Sequence, residues 1–192
     1  MRILVTGASG FVGRHLSRLL LAQKNAEVFG MRRRGSSQKC VPGVRVLHAD
    51  ILDASAVRRA IRRAKPHRIY HLAGQASVGE SWKDPRRTSL LNVEGTRNLL
   101  EAVLDEKVAP RIHIAGSAEV YGVAGSAGRL LTERSPLKPV NPYAVSKIGQ
   151  EYLAVQYFLS RGLPIVLTRA FNHFGPGQSE RFVASSFARQ FV

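Results

Sequence analysis

Cysteine and long apolar runs are scarce in this chain of 192 residues. Cys40 is the single cysteine, and no apolar stretch reaches membrane-spanning length. One cysteine excludes an internal disulfide and a cysteine-based zinc cage, and no metal site is predicted. The first residues, MRILVTGASG, predict a strand running into a glycine turn and lack the apolar stretch of a signal peptide. We therefore expect a cytoplasmic protein that makes no use of a membrane.

Acidic residues are also few, since 13 Asp and Glu stand against 29 Lys and Arg and the formal charge is +16. A positive field of this size attracts polyanions, either nucleic acid or a phosphate-rich small ligand. The basic residues are spread over predicted helix faces, with no basic tail and no aromatic array on which bases could stack. This distribution favours a solvated surface over a nucleic-acid interface.

Short apolar segments alternate with amphipathic ones along the whole chain. Strands are predicted at RILVT, AEVFGM, VRVLHA, RIYHLA, RIHIAG and PIVLTR. Apolar residues at three- and four-residue spacing predict helices at FVGRHLSRLLLAQK, SAVRRAIRRAK, RTSLLNVEGTRNLLEAVLDEK and NPYAVSKIGQEYLAVQYFLSR. Strands that are apolar throughout are buried on both faces of a sheet. The pattern predicts an α/β protein with a doubly wound parallel sheet, the Rossmann fold.

A glycine-rich turn, TGASGFVG, follows the first strand directly and opens the first helix. Glycines permit a tight turn and let backbone N–H groups approach a pyrophosphate, which the partial positive charge of a helix N-terminus also attracts. A dinucleotide site is predicted, the alternative being an ordinary strand-to-helix turn whose glycines serve packing. The contact residues predicted here are Gly7, Ser9, Gly10, Phe11, Val12 and Gly13.

The second strand ends in GMRRRGSS, where a NAD-preferring site usually carries a carboxylate for the ribose hydroxyls. Arg32 and Arg33, followed by Arg34, instead place cations there, and Ser36 and Ser37 add hydroxyl donors. Guanidinium groups pair well with a 2′-phosphate, so NADP is predicted, with NAD still possible. The alternative is a solvated basic loop.

Two further features could serve a cofactor or a reaction. Asp50, at the end of the third strand, either accepts a hydrogen bond from an adenine amino group or only caps a helix. In NPYAVSK, Asn141 is a good N-cap and a proline follows it, so Tyr143 and Lys147 share one helix face. A nearby ammonium stabilises a phenolate and is expected to lower the tyrosine pKa, which favours proton exchange with a carbonyl. Alone, the pair is more typical of a solvated surface; after the glycine turn, it is predicted to be catalytic.

Four ordered motifs resemble the extended short-chain dehydrogenase/reductases that act on nucleotide sugars, the NAD-dependent epimerase/dehydratase family. They are TGxxGxxG, HLAG after the fourth strand, the serine of GSAEVYG and YxxxK, and the resemblance covers essentially the whole chain. It implies that Tyr143 exchanges a proton, Lys147 also holds the nicotinamide ribose, and Ser117 bonds the reacting oxygen. Asn92 would orient the lysine through a water. Further cofactor contacts implied are Ile51, Leu72, Ala73 and Gly74, and both Tyr143 and Lys147 also contact the cofactor.

The residues after Ser117 separate the subclasses of this family. The family's 4,6-dehydratases use a glutamate at the place of Glu119 as a base, and many carry a proton-handling side chain where this chain has Ala118. Alanine cannot transfer a proton, so Glu119 is predicted as a base or as a ligand for substrate hydroxyls, without the full dehydratase set. A cysteine beside the serine, needed for 3,5-epimerisation, is absent.

Two stretches, 71–100 and 168–191, resemble the reductases of GDP-4-dehydro-6-deoxy-D-mannose within the family. The resemblance implies NADPH-dependent reduction of a 4-keto group to give GDP-D-rhamnose. The alternatives are a 4,6-dehydratase, a 4-epimerase, or a non-catalytic protein that binds NADP or nucleic acid. His173 is interpreted as structural. The substrate contacts implied are Gln75, Ser77, Asn172 and Arg181.

The predicted domain division places an NADP-binding Rossmann domain at 1–168 and the beginning of a substrate-binding region at 169–192. Family members are longer, so the chain is expected to be truncated at its C-terminus and to expose apolar surface where the remainder would pack. The resemblance also implies a homodimer.

Overall fold

A single parallel sheet organises the computed structural model, which describes residues 1–127 and 130–191. Its strand order is β3-β2-β1-β4-β5-β6, and the five pairings are all parallel. The sheet order reverses between β1 and β4, the place where ligands bind at the carboxyl ends of such strands. The predicted doubly wound fold is confirmed. The strands are β1 Arg2–Thr6, β2 Glu27–Arg32, β3 Arg45–His48, β4 Arg68–His71, β5 Arg111–Ala115 and β6 Ile165–Thr168.

The helices cover both faces of the sheet. They are α1 Phe11–Leu21, α2 Ala54–Ala64, α3 Val78–Lys83, α4 Pro85–Ser89, α5 Gly95–Asp105, α6 Pro142–Arg161 and α7 Val183–Gln190. A π-helical turn, Leu90–Glu94, joins α4 to α5, so the long helix predicted at 87–107 is present with a wider turn inside it. The 3₁₀ segment Ala118–Ala127 follows β5. Helix α3 was not predicted, because six residues are too few to establish helical periodicity.

The core lies on both sides of the sheet, as the alternation of side chains along a strand requires. Leu4 and Ile69 face a large apolar cluster shared with α2, α5 and α6. Ile3 and Val5 point to the opposite face, where they pack with Leu20 of α1 and its neighbours. Both faces of β1 are therefore buried, which explains why its sequence is apolar without alternation.

The start of α6 agrees with the sequence prediction. The Asn141 side chain accepts a hydrogen bond from the Ala144 N–H at 2.8 Å, and Pro142 occupies the first turn, where its missing N–H costs nothing. The helix ends at Gly162, whose φ of 66° lies in the left-handed region. These two ends fix the register in which α6 presents its inner face to β5.

The segment after β6 is far more exposed than the rest of the chain. None of the described side chains of α7 is buried, and large apolar groups stay open to solvent at Phe171, Phe174, Phe187 and Phe191. The expectation of exposed apolar surface is met in this segment. Within the described part of the chain, no helix is both long enough and apolar enough to cross a membrane.

Candidate functional site

A cleft of about 1080 Å³ runs along the carboxyl ends of the strands. Most of the predicted site residues line it, although they come from the loops after the strands and from helices α1 and α6. Asp50 and Gln75 lie outside the lining formed by the described residues. The predicted residues that do line the cleft are Gly7, Ser9, Gly10, Phe11, Val12, Gly13, Arg32, Arg33, Ile51, Leu72, Ala73, Gly74, Ser77, Ser117, Glu119, Tyr143, Lys147, Asn172 and Arg181.

The glycine turn packs its own backbone closely, and no side chain fits at two of its positions. Gly7 has a φ of +68°, and a Cβ atom added there would lie 3.0 Å from the carbonyl carbon of Leu72. At Gly13 an added Cβ would meet the Gly7 carbonyl oxygen at 2.2 Å. Gly10 is the N-cap of α1, and it has no side chain with which to cover the free N–H groups of the first turn. A pyrophosphate fits this exposed helix N-terminus.

The basic end of β2 is only partly free to bind a phosphate. The Arg32 guanidinium donates a hydrogen bond to the Ser36 carbonyl, while its buried Nε has no hydrogen-bond partner among the described residues. Arg33 is exposed and lines the cleft. Arg34 and Ser37 lie outside the lining that the described residues form. Arg32, fixed by its hydrogen bond to Ser36, and the exposed Arg33 therefore both line the cleft where a ribose phosphate is expected.

Two predicted contacts are directed elsewhere. Asp50 accepts a hydrogen bond from the Leu52 N–H at 3.0 Å within the turn after β3, and α2 is capped by Asp53 instead. The Gln75 side chain folds back onto Ser77, donating to its carbonyl at 2.7 Å and accepting from its N–H at 2.8 Å. Both ends of the Gln75 amide thus shape the loop before α3, and its role as a substrate contact stays a prediction.

Ser117, Tyr143 and Lys147 meet at the bottom of the cleft. Each keeps only 8% of its surface exposed, which excludes a solvated tyrosine–lysine pair. Tyr143 shares a side-chain hydrogen bond with Ser117. The Lys147 ammonium lies 5.8 Å from the centroid of the Tyr143 ring and donates to the Ala115 carbonyl at 2.9 Å. The three groups are placed to handle a proton at one point of the cleft.

The ionisation of the pair differs from the expectation. Burial raises the pKa of Tyr143, the negative charge of Glu119 raises it further, and the hydrogen bond from Ser117 opposes both. Burial lowers the pKa of Lys147 to about 8. The Tyr143 pKa was expected to fall and instead rises, because loss of water around the phenolate outweighs the stabilisation that Ser117 provides.

Glu119 stands beside the tyrosine and is held by the residue that caps α6. Its carboxylate accepts a hydrogen bond from the Asn141 amide at 3.1 Å, and its N–H donates to the Ser117 hydroxyl oxygen at 3.2 Å. The same asparagine thus starts the helix and orients the acid. The carboxylate lines the cleft, where it can accept a proton or a substrate hydroxyl.

Asn92 lies in the π-helical turn and is completely buried. Its amide accepts from the Gln75 N–H at 2.8 Å and donates to the Gln75 carbonyl at 3.2 Å and the Ser146 hydroxyl at 2.8 Å. These direct contacts hold the loop after β4 onto α6. The role of orienting Lys147 through a water stays a prediction.

Sequence reasoning missed several polar residues near the site. His113 of β5 lines the cleft and forms a hydrogen bond with the Thr168 hydroxyl at 3.0 Å, while burial lowers its pKa. Its place between two isoleucines in RIHIA, opposite to the buried face, was the available signal. His173, interpreted as structural, is exposed and lines the cleft, and its carbonyl accepts from the Gln178 amide at 2.8 Å.

An α/β sheet with a glycine turn and a buried serine–tyrosine–lysine set at one cleft defines a class of dinucleotide-dependent proteins. Residues 4–192 match the family model described as GDP-mannose 4,6 dehydratase. The chain belongs to this family, and the extended short-chain dehydrogenase/reductase assignment made from its motifs is confirmed.

Individual relatives differ in the reactions that their names state. The chain is 36% identical to GDP-6-deoxy-D-mannose reductase of Pseudomonas aeruginosa over 98% of its own length and 58% of that protein. It is 32% identical to GDP-mannose 4,6-dehydratase of Vibrio cholerae, covering 98% of this chain and 54% of the relative. Among solved structures, RMD from Pseudomonas aeruginosa complexed with NADPH has a TM-score of 0.83 at 34% identity, over 99% of this chain and 61% of that one. The chain thus spans under two thirds of each relative.

Proposed function

We propose that this chain carries the NADP-binding and proton-transfer part of a nucleotide-sugar oxidoreductase. The observation that carries the proposal is the burial of Ser117, Tyr143 and Lys147 in the same cleft as the open glycine turn. In the most specific form, the reaction is reduction of the 4-keto group of GDP-4-dehydro-6-deoxy-D-mannose to give GDP-D-rhamnose. Similarity to a protein named GDP-6-deoxy-D-mannose reductase supports this substrate class.

The cofactor proposed is NADPH, with NADH as the second choice. The pyrophosphate would lie on the α1 N-terminus at Gly10, where free N–H groups and the helix dipole favour negative charge. Arg33, with Arg32 behind it, would pair with the 2′-phosphate. The solved relative complexed with NADPH supports the same choice. When bound, the nicotinamide supplies the hydride that reduces the sugar carbon.

The raised pKa of Tyr143 suits a reductive reaction. A tyrosine that keeps its proton at neutral pH can donate it to the sugar oxygen as the C–O double bond becomes single. Ser117 would hydrogen-bond that oxygen and polarise the carbonyl, and the same hydroxyl then stabilises the phenolate left on Tyr143. Lys147, 5.8 Å from the ring, adds positive charge near the phenolate.

Glu119 favours a second candidate of the same family. Its carboxylate lines the cleft beside Tyr143 and is held by Asn141, as a base that removes a sugar proton would need to be. This would make the protein a 4,6-dehydratase or a 4-epimerase. Ala118 counts against the dehydratase, because its methyl group cannot protonate a leaving hydroxyl.

The test is to supply GDP-4-dehydro-6-deoxy-D-mannose with NADPH and to follow the absorbance of the reduced cofactor. A reductase consumes one NADPH for each sugar, whereas a dehydratase or epimerase returns the hydride and shows no net change. Tyr143→Phe should lower turnover by about 100-fold or more and change NADPH affinity far less, since it removes the proton-donating hydroxyl and keeps the ring. Binding of NADPH without any turnover would favour the non-catalytic alternative. Absence of NADPH binding would contradict the proposal of an oxidoreductase.

The domain division and the oligomeric state are also proposed. Residues 1–168 would form the NADP-binding domain and 169–192 the start of a substrate-binding region, with homodimer formation as in the family. Salt dependence of any binding to DNA or RNA separates a polyanion binder from a nucleotide-sugar enzyme. Light scattering on the purified chain tests the dimer, which a concentration-independent monomer would rule out.

A further inference from the structure

Four polar side chains are buried together behind the cleft, between β1, β4, α5 and α6. They belong to Thr6, His71, Thr96 and Gln150, and none of them is more than 1% exposed. They lie outside the cleft lining that the described residues form. Burying four polar groups is costly unless each is hydrogen-bonded, so their pairing is informative.

The hydrogen bonds around Thr96 can have only one direction. Its hydroxyl donates its single proton to the Asn92 carbonyl at 2.7 Å, as the helical position four residues later requires. The oxygen must then accept from its two other neighbours, the Gln150 amide Nε2 at 2.7 Å and His71 Nε2 at 3.0 Å. The proton of His71 is therefore on Nε2.

The donor and acceptor roles are also fixed from His71 to the loop after β4. Burial lowers the pKa of His71 to about 3, so the ring is neutral and its Nδ1 accepts a hydrogen bond. The donor is the Thr6 hydroxyl at 2.8 Å. Thr6 in turn accepts from the N–H groups of Leu72 at 3.1 Å and Ala73 at 3.0 Å. The series ends at two residues that line the cofactor side of the cleft.

On the side of Gln150, this series of hydrogen bonds reaches Lys147. Because Gln150 Nε2 points to Thr96, its Oε1 points to the Lys147 ammonium, 2.9 Å away. A flipped amide would bring two N–H groups against the ammonium and would leave Thr96 facing an acceptor instead of a donor. With the Ala115 carbonyl, also at 2.9 Å, Gln150 takes two of the three ammonium protons. One N–H is left for the site.

We propose that Gln150 is a positioning residue for Lys147, kept in one amide orientation by Thr96 and His71. It accepts one ammonium proton and directs the remaining N–H into the cleft, and the same series of hydrogen bonds ties the lysine to the backbone of Leu72 and Ala73. The catalytic consequence rests on the proposed function, whereas the geometry does not depend on a bound cofactor.

Other titratable groups face the same ammonium and must be separated from Gln150. Tyr143 lies on the same helix, 5.8 Å from ring centroid to Nζ, and Glu119 acts on that tyrosine. His71 approaches from β4 and His113 lies on β5, and the lysine charge lowers the pKa of His71. An experiment that changes only Gln150 keeps these groups constant.

The test compares Gln150→Met, Gln150→Glu and the unchanged full chain, with NMR detection of the Lys147 side-chain methylene during a pH titration. The signal is assigned by its loss in Lys147→Met. Gln150→Met removes an acceptor of the charged form and should lower the titration midpoint by about one pH unit, whereas the carboxylate of Gln150→Glu should raise it by about as much. Gln156, exposed on the same helix and bonded to Ser160, is the matched control, and its two variants should move the midpoint in neither direction.

Opposite shifts at Gln150, together with none at Gln156, support the inference; equal shifts in one direction, or none, overturn it. If Gln150→Met does not fold, the carboxylate variant still decides, since no upward shift would overturn the proposal. Nitrogen NMR of histidine in the unchanged chain is an independent check, because a proton on Nδ1 of His71 would contradict the direction of the series. None of these readings needs NADPH, so a failure of the proposed function appears separately, as absent cofactor binding.

Discussion

The two ends of the cleft are built in opposite ways. At the glycine turn, Gly7 and Gly13 have backbone neighbours so close that an added Cβ would lie 3.0 and 2.2 Å from them. Behind Lys147, the site is a set of buried polar side chains that satisfy one another. The first region has no room for an added atom at Gly13, and the second leaves a buried polar group unpaired when a partner is lost. Substitutions in the two regions should therefore have different effects on stability and binding.

The contrast also concerns distance along the chain. The glycines lie within seven residues of one another, and only Gly7 is closely approached by a distant segment, at Leu72 and Ala73. Among the four buried polar side chains behind Lys147, Thr6 and His71 are 65 residues apart, and Thr96 and Gln150 are 54 residues apart. Only the sheet order, which places β4 beside β1, brings the first pair together.

The largest effect is expected from filling the glycine turn. Gly13→Ala places a Cβ 2.2 Å from the Gly7 carbonyl oxygen, and backbone atoms cannot move aside cheaply. Gly13→Ala should lower the free energy of unfolding by about 3 kcal/mol, as measured by urea denaturation. Gly79→Ala is the matched control, since its nearest neighbour would be the Ser77 hydroxyl at 3.9 Å. Equal stability of the two variants would show that the glycine turn does have room for an added side chain at Gly13.

A smaller effect is expected from the buried histidine as the pH falls. The pKa of His71 in the folded chain, about 3, lies below its usual value of 6.5, so the unfolded chain binds the proton first. Stability is therefore lost as the pH drops below about 6.5. Between pH 7 and pH 5 this group should account for about 2 kcal/mol of lost stability.

His71→Gln should remove this part of the pH dependence, which chemical denaturation at the two pH values measures. His48→Gln, on the exposed part of β3, is the control and should keep the dependence of the unchanged chain. If the loss between pH 7 and pH 5 is the same for His71→Gln and for the control, the neutral histidine assigned to the polar set is wrong.

The smallest effect concerns a side chain at the glycine end. Arg33→Ala should weaken NADPH binding by about tenfold, the loss of roughly one charge-assisted hydrogen bond, and leave NADH binding and stability unchanged. Arg34→Ala, outside the lining formed by the described residues, is its matched control. Titration of intrinsic fluorescence with each cofactor measures both. A parallel loss of NADH affinity would show that Arg33 does not discriminate the 2′-phosphate.

Where local patterns decide the structure, sequence prediction succeeded. Alternating apolar segments yielded the parallel sheet, and an asparagine followed by proline marked the start of α6. Sequence patterns did not reveal where individual side chains are directed. Gln75 folds back on Ser77 and Asp50 bonds Leu52, because short-range backbone partners were available that the residue types do not disclose. The Tyr143 pKa was expected to fall, yet burial raises it.

The amino-acid sequence by itself determined the α/β fold, the glycine turn on the first helix and the helix face shared by Tyr143 and Lys147. These follow from periodicity, backbone freedom and capping, which act over a few residues. Only the tertiary structure decided that the lysine is buried with a pKa of about 8 and that Gln150 holds it. Desolvation and hydrogen bonds between distant strands and helices depend on which segments pack together, and that packing is a property of the whole fold.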